Sequence, residues 1–460
     1  MRHRDYPVRL KSVNWTAFSV DNRGKSLSLI DGVVQLWGCH LISKKTVVLA
    51  CFVLLLQIGF ASQLLATDST PRALAQDLGP DTGKSPVICL IVKDTVYTPL
   101  EDRLQRWKSD KENLGATVVV KIVSNESPSA IRSYLKNVTN LVGCLMVGDI
   151  PYVEYEWNFT DIDGTQKHDR FPTDLYYMNL HTNWIDKNGN GAYDTISGSL
   201  TPDIWVGRLK ASNLSGGETE LLKNYFDKNH NYIMGVLTRP RRALVYVDEV
   251  TDYYVDELAP ATVNAMREIY PDIVSVYDRR YTNATDYMAR LDEPFSLVRI
   301  IVHSGGIGHH FLYNGNWDGK IYPLDIKSLD PKAFFYVITS CNDFDYRRRD
   351  YMGAWYLFGS YGLFAMGDSS VSDILNVLPE RFYPSLKTSS FGAAYLAWAA
   401  QCVARKMNPT NIINYVLLGD PSLGITTTIP VPEYSGIGVQ TVMLAILGIT
   451  ICLKKRIMKN

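Results

Sequence analysis

The chain has 460 residues, of which 46% are hydrophobic and 20% are charged, and its formal net charge at pH 7 is zero. This composition is typical of a globular protein with a large core, and it excludes an intrinsically disordered chain. The balanced charge gives no electrostatic basis for binding nucleic acid. The seven cysteines form no CxxC pair and show no zinc-type spacing, so neither a zinc site nor a disulfide framework is expected.

The N-terminal region contains a segment typical of protein export. Residues 44–66 begin with two lysines, continue through an apolar stretch and end among small residues, which is the layout of a secretory signal peptide. An uncleaved signal anchor is the alternative interpretation. Residues 1–43 are a polar, slightly basic extension, and residues 67–85 are rich in turn-forming residues and are interpreted as a linker.

After the linker, short apolar runs alternate with segments of helical periodicity. The runs at 86–94, 116–123 and 141–148 are continuous enough for buried parallel strands. Helices are predicted between them, at 97–113 and 127–138. This β-α-β-α-β order predicts a parallel sheet that is covered by helices on both faces.

The same alternation begins again near residue 240. Further strands are predicted at 242–249, 271–277, 295–304, 332–341 and 362–370. We therefore expect two consecutive α/β subdomains, residues 86–235 and 240–425, which could be halves of one long sheet.

The C-terminal region contains a second apolar segment. Residues 436–453 carry no charge and are long enough to cross a bilayer as a helix, although a buried core helix is the alternative. The basic tail at 454–460 predicts a cytoplasmic C-terminus. The order of Pro-Glu-Tyr at 432–434, apolar span and basic tail resembles the sorting tails of prokaryotic surface proteins. Residues 67–433 are then expected to lie outside the cytoplasmic membrane.

Several polar side chains stand where predicted strands end. Asp248 and Glu249 close one strand, His303 closes another, and Cys341 follows a third. In open α/β sheets, ligands bind beyond the carboxyl ends of the strands. A thiol needs a base or an imidazolium partner to become a nucleophile, and a carboxylate can fix the tautomer of an imidazole. These residue types therefore predict Cys-His catalysis.

The same segments resemble a known family. FSLVRIIVHSGGIGHHF and FFYVITSCNDFDY are similar to the histidine and cysteine strands of gingipain-like cysteine peptidases, which belong to the caspase-like superfamily. Other segments resemble the family in the same order, between about residues 85 and 425: LVGCLMVGDIPYV, FPTDLYYMNL, PDIWVGRLKAS, YGLFAMGDSS and VLLGDPSLGI.

The resemblance implies a caspase-like α/β fold and a role for each candidate residue. Cys341 would be the nucleophile and His303 the general acid or imidazolium partner. The family's acidic residue before the histidine strand matches Asp248 or Glu249. With the apolar end segments, this predicts a membrane-anchored extracellular cysteine endopeptidase that acts on protein or peptide substrates and needs no cofactor for its chemistry.

The oxyanion hole and the residue after His303 raise an alternative. The resemblance implies an oxyanion hole made by the backbone N–H of Cys341 and one N–H from Ser304 or Gly305. The family has glycine directly after the histidine, whereas this chain has Ser304, which would be strained if the loop required a positive φ. This departure motivates the alternative of a catalytically inactive surface-binding or adhesion module on the same fold.

The resemblance also implies where substrate specificity is set. In gingipain-like enzymes, an acidic side chain in the loop after the acidic strand end can select Arg or Lys, and here that loop offers Asp252 and Asp256. Its tyrosines could instead shape an apolar pocket. Ser369 and Ser370 are expected to line the substrate cleft.

A loop in the N-terminal half has the spacing of a calcium site. Its oxygen-bearing residues alternate as in the first half of an EF-hand loop: Asp186, Asn188, Asn190 and Asp194. The glutamate of position 12 is missing, so structural calcium would need other ligands, such as Asp163 or Asp174, and a plain polar turn is the alternative. A second possible metal site combines three histidines: His303, His309 and His310.

Overall fold

The structure is a computed structural model that describes residues 85–160, 164–248, 253–278, 280–313, 316–372 and 378–426. The segments predicted at 1–43, 44–66 and 436–453 lie outside these residues. Within the described ranges, no helix combines the length and apolarity needed to cross a membrane.

Seventeen strands are present in the described residues. They are β1 (Val87–Lys93), β2 (Thr117–Val123), β3 (Leu141–Val147), β4 (Val153–Thr160), β5 (Gln166–Thr173), β6 (Asn183–Ile185), β7 (Thr195–Ser197), β8 (Trp205–Leu209), β9 (Arg242–Val247), β10 (Asp272–Val276), β11 (Leu297–Ile301), β12 (His303–Ser304), β13 (His309–Tyr313), β14 (Asn316–Ile321), β15 (Phe335–Thr339), β16 (Phe364–Asp368) and β17 (Tyr415–Gly419).

Helices fill most of the intervals between the strands. They are α1 (Asp94–Asn113), α2 (Pro128–Lys136), α3 (Leu175–Met178), α4 (Glu218–Ile233), α5 (Ala259–Met266), α6 (Ala284–Leu291), α7 (Pro323–Leu329), α8 (Met352–Phe358), α9 (Pro379–Phe382), α10 (Phe391–Ala404) and α11 (Thr410–Ile413). A π-helix at Tyr254–Leu258 precedes α5.

Ten strands form one sheet, in the order β10-β9-β11-β15-β16-β17-β8-β3-β1-β2. The strands of the N-terminal half, β2-β1-β3-β8, pair parallel to one another. The strands of the C-terminal half, β10-β9-β11-β15-β16, do the same. The predicted α/β architecture is therefore confirmed, and the two halves share a single sheet.

The prediction of a wholly parallel sheet needs one correction. Strand β17 lies between β16 and β8 and pairs antiparallel with β16, so the sheet is mixed. An apolar run specifies a buried strand but not its direction, because both orientations bury the same side chains. The last strand thus joins the two halves by filling the gap between them.

The strands are buried because helices cover both faces of the sheet. All five residues of β11 and all five of β15 are buried. Helix α1 buries the face predicted from its periodicity, with Leu100, Leu104 and Trp107. Helix α2 begins after Ser127, whose side chain accepts a hydrogen bond from the Ala130 N–H, as expected of an N-cap.

Smaller antiparallel ribbons stand outside the main sheet. Strands β4 and β5 form a hairpin, β6 pairs with β7, and β12, β13 and β14 form a three-stranded ribbon directly after β11. The last of these, which we call the histidine ribbon (residues 303–321), carries all three histidines of the C-terminal half.

Candidate active site

The strand ends singled out in the sequence meet at one edge of the sheet. Strand β11 lies between β9 and β15, with Ile301 paired to Val247 on one side and to Thr339 on the other. The ladder continues one step further, because the Val302 N–H donates to Thr339 O at 3.1 Å and the Asp248 N–H donates to Ile301 O at 2.9 Å. Ile301 and Thr339 are paired in register, and His303 and Cys341 each lie two residues after them.

Cys341 lies half-buried just beyond β15. Its Sγ accepts a weak hydrogen bond from the Ser372 N–H at 3.4 Å. Burial raises the pKa of the thiol to about 12, and the carboxylates of Asp368, Asp343 and Asp169 act in the same direction, while the Ser372 N–H lowers it. The thiol is therefore protonated at neutral pH in the resting protein.

His303 lies at the start of the histidine ribbon, opposite His310 in the antiparallel pair of β12 and β13. Its ring packs edge-on against Trp317 with a centroid distance of 5.1 Å. Burial lowers the pKa of His303, and the neighbouring His310 lowers it further, so the imidazole is neutral at pH 7. Both side chains are described, and no hydrogen bond joins His303 to Cys341 in this conformation.

A buried carboxylate connects the two loops that carry these residues. Asp343 accepts hydrogen bonds from Ser340 Oγ at 2.6 Å and from Ser304 Oγ at 2.5 Å. It also lies 3.0 Å from Nδ1 of His309, a fully buried ring whose Nε2 is 2.9 Å from the Tyr356 hydroxyl. His309 therefore has a packing and pairing role and does not face a substrate.

Ser304 is not strained. In this region φ is positive at Asn342 (61°), Gly306 (74°) and Gly308 (146°), and not at Ser304. A Cβ at Gly306 would collide with the Arg348 guanidinium, which donates to Gly306 O at 2.9 Å. The strain expected at Ser304 is absent because the left-handed turn falls two residues later, on a glycine.

The candidate oxyanion donors on the ribbon differ in availability. Gly305 is exposed, and the space where its Cβ would stand is open. The Gly306 N–H is already used, since it donates to Ser304 Oγ at 3.0 Å. Of these two glycines, Gly305 is therefore the one with open space next to its backbone, two residues after His303.

The acidic candidates fall into different environments. Asp248 is fully buried and accepts a hydrogen bond from the Leu312 N–H at 2.7 Å, so it secures strand β13 of the histidine ribbon. Asp256 is exposed on the π-helix that follows β9. Glu249 and Asp252 lie outside the described residues.

Ser369 and Ser370 lie next to the loop that contains Cys341, and Ser370 is hydrogen-bonded to it. Both are buried. The Ser369 hydroxyl donates to Pro172 O at 2.8 Å, and that of Ser370 donates to the Asp169 carboxylate. The Ser370 carbonyl accepts from the Asn342 N–H at 2.8 Å. Their hydroxyls are thus committed to internal hydrogen bonds, which leaves only the backbone available to line a cleft.

The calcium-like loop folds around its own oxygen atoms. Asp186 accepts hydrogen bonds from the Gly189 and Gly191 N–H groups, at 2.7 and 2.8 Å. The Asn190 amide donates to both oxygens of the Glu156 carboxylate at 3.0 Å, and the Asn188 amide donates to the same carboxylate. Glu156, on β4, was missed in the sequence because it lies thirty residues before the loop.

The structure supports neither Asp174 as a calcium ligand nor a metal site of three histidines, and Asp163 lies outside the described residues. Asp174 is fully buried in an ion pair with Arg208 at 2.5 Å, so it is not free to bind calcium. Across the described part of the chain, no group of three or more His, Cys, Asp or Glu side chains is placed to hold a metal ion, and this includes the three histidines of the ribbon. Calcium binding through mixed Asp and Asn oxygens stays a prediction.

The ten-stranded sheet with its flanking helices is an α/β fold of caspase-like architecture, and a thiol and an imidazole follow two neighbouring strands at its carboxyl edge. The chain belongs to peptidase family C25, the gingipain family, whose family model matches residues 82–426. It is therefore a cysteine peptidase, and its substrates are proteins or peptides.

Comparison with solved structures agrees with this fold. A structure titled "Structure of Protease" superposes with a TM-score of 0.53 at 15% identity, covering 76% of this chain and 81% of that one. A putative LacI transcriptional regulator from Bacteroides fragilis (9% identity, 73% of this chain and 97% of that chain) and a sugar transporter from Clostridium phytofermentans (11%, 73% and 100%) reach TM-scores of only 0.18, which carry no argument. No curated protein matches the sequence.

Proposed function

We propose that this chain is an exported, membrane-anchored endopeptidase in which Cys341 attacks the substrate carbonyl and His303 accepts the thiol proton. The observation that supports the proposal is the register of β11 and β15, in which Ile301 pairs with Thr339 and each candidate residue follows two positions later. Neighbouring strands lie about 4.8 Å apart, so side chains at such positions are within reach of one substrate bond.

The resting ionisation states indicate how the reaction would begin. The thiol has a raised pKa and the imidazole a lowered one, so neither is charged at pH 7. A neutral imidazole can act as a general base while sulfur bonds to the carbonyl carbon. The imidazolium that forms then donates its proton to the departing amine, and water, deprotonated by the same ring, hydrolyses the acyl-enzyme.

The developing oxyanion needs donors at the rim. The Cys341 N–H and the N–H of Gly305 are proposed for this role, with Ser304 as the alternative, because Gly305 is exposed beside open space. Asp248 supports the ribbon through Leu312 and would hold His303 in place indirectly.

Substrate preference and location follow from the sequence. Asp256 and Asp252 are proposed to favour Arg or Lys before the cleaved bond, and the exposed position of Asp256 is compatible with this role. The apolar segments at 44–66 and 436–453 are proposed to direct export and anchor the protein, with the peptidase outside the cell and the C-terminus in the cytoplasm. Structural calcium in the 186–194 loop, with Glu156 as a further carboxylate, is part of the same proposal.

The experiment is an assay of the full chain, purified in detergent, against a fluorogenic peptide library. Wild-type protein is expected to cleave peptides after Arg or Lys, and Cys341→Ala and His303→Ala to lose activity. Full activity in Cys341→Ala would refute the mechanism.

The alternative of an inactive binding or adhesion module would make this chain a catalytically silent member of the C25 family, and the lack of a hydrogen bond between the resting thiol and imidazole motivates a direct test of it. A peptidyl acyloxymethyl ketone separates the two proposals. It should label Cys341 in an active enzyme and leave it unlabelled in an inactive module.

A further inference from the structure

We propose that Asp343 is a positioning residue, which holds the Cys341 loop against the histidine ribbon through the hydroxyl of Ser304. This inference rests on the Cys341–His303 mechanism proposed above and adds to it the part that aligns the two residues.

The geometry is that of one carboxylate bridging two loops. Asp343 is only 1% exposed, and its two oxygens accept different hydrogen bonds, Oδ1 from Ser304 Oγ at 2.5 Å and Oδ2 from Ser340 Oγ at 2.6 Å. Ser340 directly precedes Cys341, and Ser304 directly follows His303. The carboxylate therefore contacts the chain neighbour of each reacting residue.

The Ser304 hydroxyl is fixed in orientation. Its oxygen accepts a hydrogen bond from the Gly306 N–H at 3.0 Å, and its single proton is donated to Asp343. A second hydrogen bond joins the same two segments. The Arg348 guanidinium, in the loop that follows Cys341, donates to Gly306 O at 2.9 Å. The turn of the ribbon is thus held at two points by the loop that follows Cys341.

A buried imidazole completes the bridge. His309 is fully buried and lies 3.0 Å from Asp343 and 2.9 Å from the Tyr356 hydroxyl. Since β13 pairs His309 directly with Ser304, the partners of Asp343 on the ribbon stand side by side. Asp343 consequently contacts the first two strands of the ribbon, β12 through Ser304 and β13 through His309.

The bridge matters because His303 and Cys341 lie beyond the ends of β11 and β15, where the ladder of the main sheet no longer fixes them. Catalysis requires the reacting atoms to be held close to a productive geometry, and a displacement of about 1 Å can cost roughly 10²-fold in rate. The family resemblance implies glycine at position 304, and glycine has no hydroxyl to donate to Asp343. Restoring glycine should therefore reduce activity.

The test compares four variants of the full chain with wild type: Ser304→Gly, Ser304→Ala, Ser304→Thr and Asp343→Asn. We expect Ser304→Gly and Ser304→Ala to lower kcat about 10- to 100-fold with KM within about twofold. Ser304→Thr, which keeps the hydroxyl, should stay within about threefold of wild type, and Asp343→Asn should lose at least as much as Ser304→Ala. Ser328→Ala removes a helix-surface hydroxyl that donates to Leu324 O and is the matched control.

Two readouts keep the outcomes distinct. Hydrogen exchange of peptides covering 303–309 and 341–348 should increase in Ser304→Ala while the melting temperature stays close to that of wild type. Unchanged kcat and unchanged exchange in Ser304→Ala, with Cys341→Ala inactive, would overturn the positioning role alone. An inactive wild type would overturn the proposed function, and the exchange measurement would still decide whether Asp343 joins the two loops.

Discussion

The resting state of Cys341 leads to a prediction about its reactivity. Many cysteine nucleophiles are held as thiolates by a nearby imidazolium, and they alkylate rapidly at neutral pH. In this protein, burial and three carboxylates raise the pKa of Cys341 to about 12. We expect the free enzyme to react slowly with iodoacetamide at pH 7.5, and the rate to rise about tenfold per pH unit.

The magnitude follows from the two pKa values. At pH 7.5 a thiol of pKa about 12 is ionised to roughly 3 parts in 10⁵, whereas an ordinary cysteine of pKa about 8.5 is ionised to roughly one tenth. The more basic thiolate is about 40-fold more nucleophilic, since reactivity rises with pKa with a Brønsted coefficient of about 0.45. The net expectation is alkylation about 10²-fold slower than that of a free thiol.

The assay measures alkylation of the Cys341 peptide by mass spectrometry between pH 6 and 10, with glutathione in the same tube as the reference. Circular dichroism at each pH confirms that the protein stays folded. His303→Ala is the control and should leave the rate unchanged, because His303 does not set the pKa of the thiol. A rate that is fast and constant below pH 8, and that falls in His303→Ala, would refute the reasoning by revealing a preformed ion pair.

Three further predictions concern stability, calcium and the imidazole. Lys111 of helix α1 forms a fully buried ion pair with Asp420 at 2.8 Å, so Asp420→Asn should cost about 3–5 kcal/mol of unfolding free energy in urea titrations. Asp227, which pairs with Arg103 at 3.1 Å, is partly exposed, so Asp227→Asn should cost under about 1 kcal/mol. Equal losses would contradict this ranking. Glu156→Gln should weaken calcium binding measured by calorimetry, and no binding by the wild-type chain would remove the calcium site. Trp317→Ala uncovers the ring of His303 and should raise its pKa, which moves the acid limb of kcat/KM to higher pH; an unmoved limb would exclude His303 as the base.

The elements that the sequence predicted are those with a strong local pattern. The run at 332–341 contains β15 (Phe335–Thr339), and the run at 295–304 contains β11 (Leu297–Ile301). Several predicted strands extend past the observed ones by one to three residues at one or both ends, because a sequence pattern locates a strand better than it locates the residues where the strand begins and ends. The position of Cys341 and His303 beyond strand ends was readable because each lies near the end of one of these two runs.

Strands that depend on distant partners were not predictable in this way. Strand β5 (Gln166–Thr173) is largely polar and exists because it pairs with β4 along its whole length. The direction of β17 is set by its position between β16 and β8, which belong to different halves of the sheet. No local sequence pattern contains that information. The sequence alone therefore left open whether the two predicted subdomains share one sheet.

By itself, the sequence determined the α/β class, the order of the buried strands, and which thiol and imidazole stand beyond strand ends, because burial requires apolar runs of a readable period. Only the tertiary structure decided that Asp343 bonds to Ser304, that Asp174 is occupied by Arg208, and that Glu156 faces the 186–194 loop. Hydrogen-bond partners depend on side-chain directions between segments 30 to 40 residues apart, and those directions are set when the whole core packs.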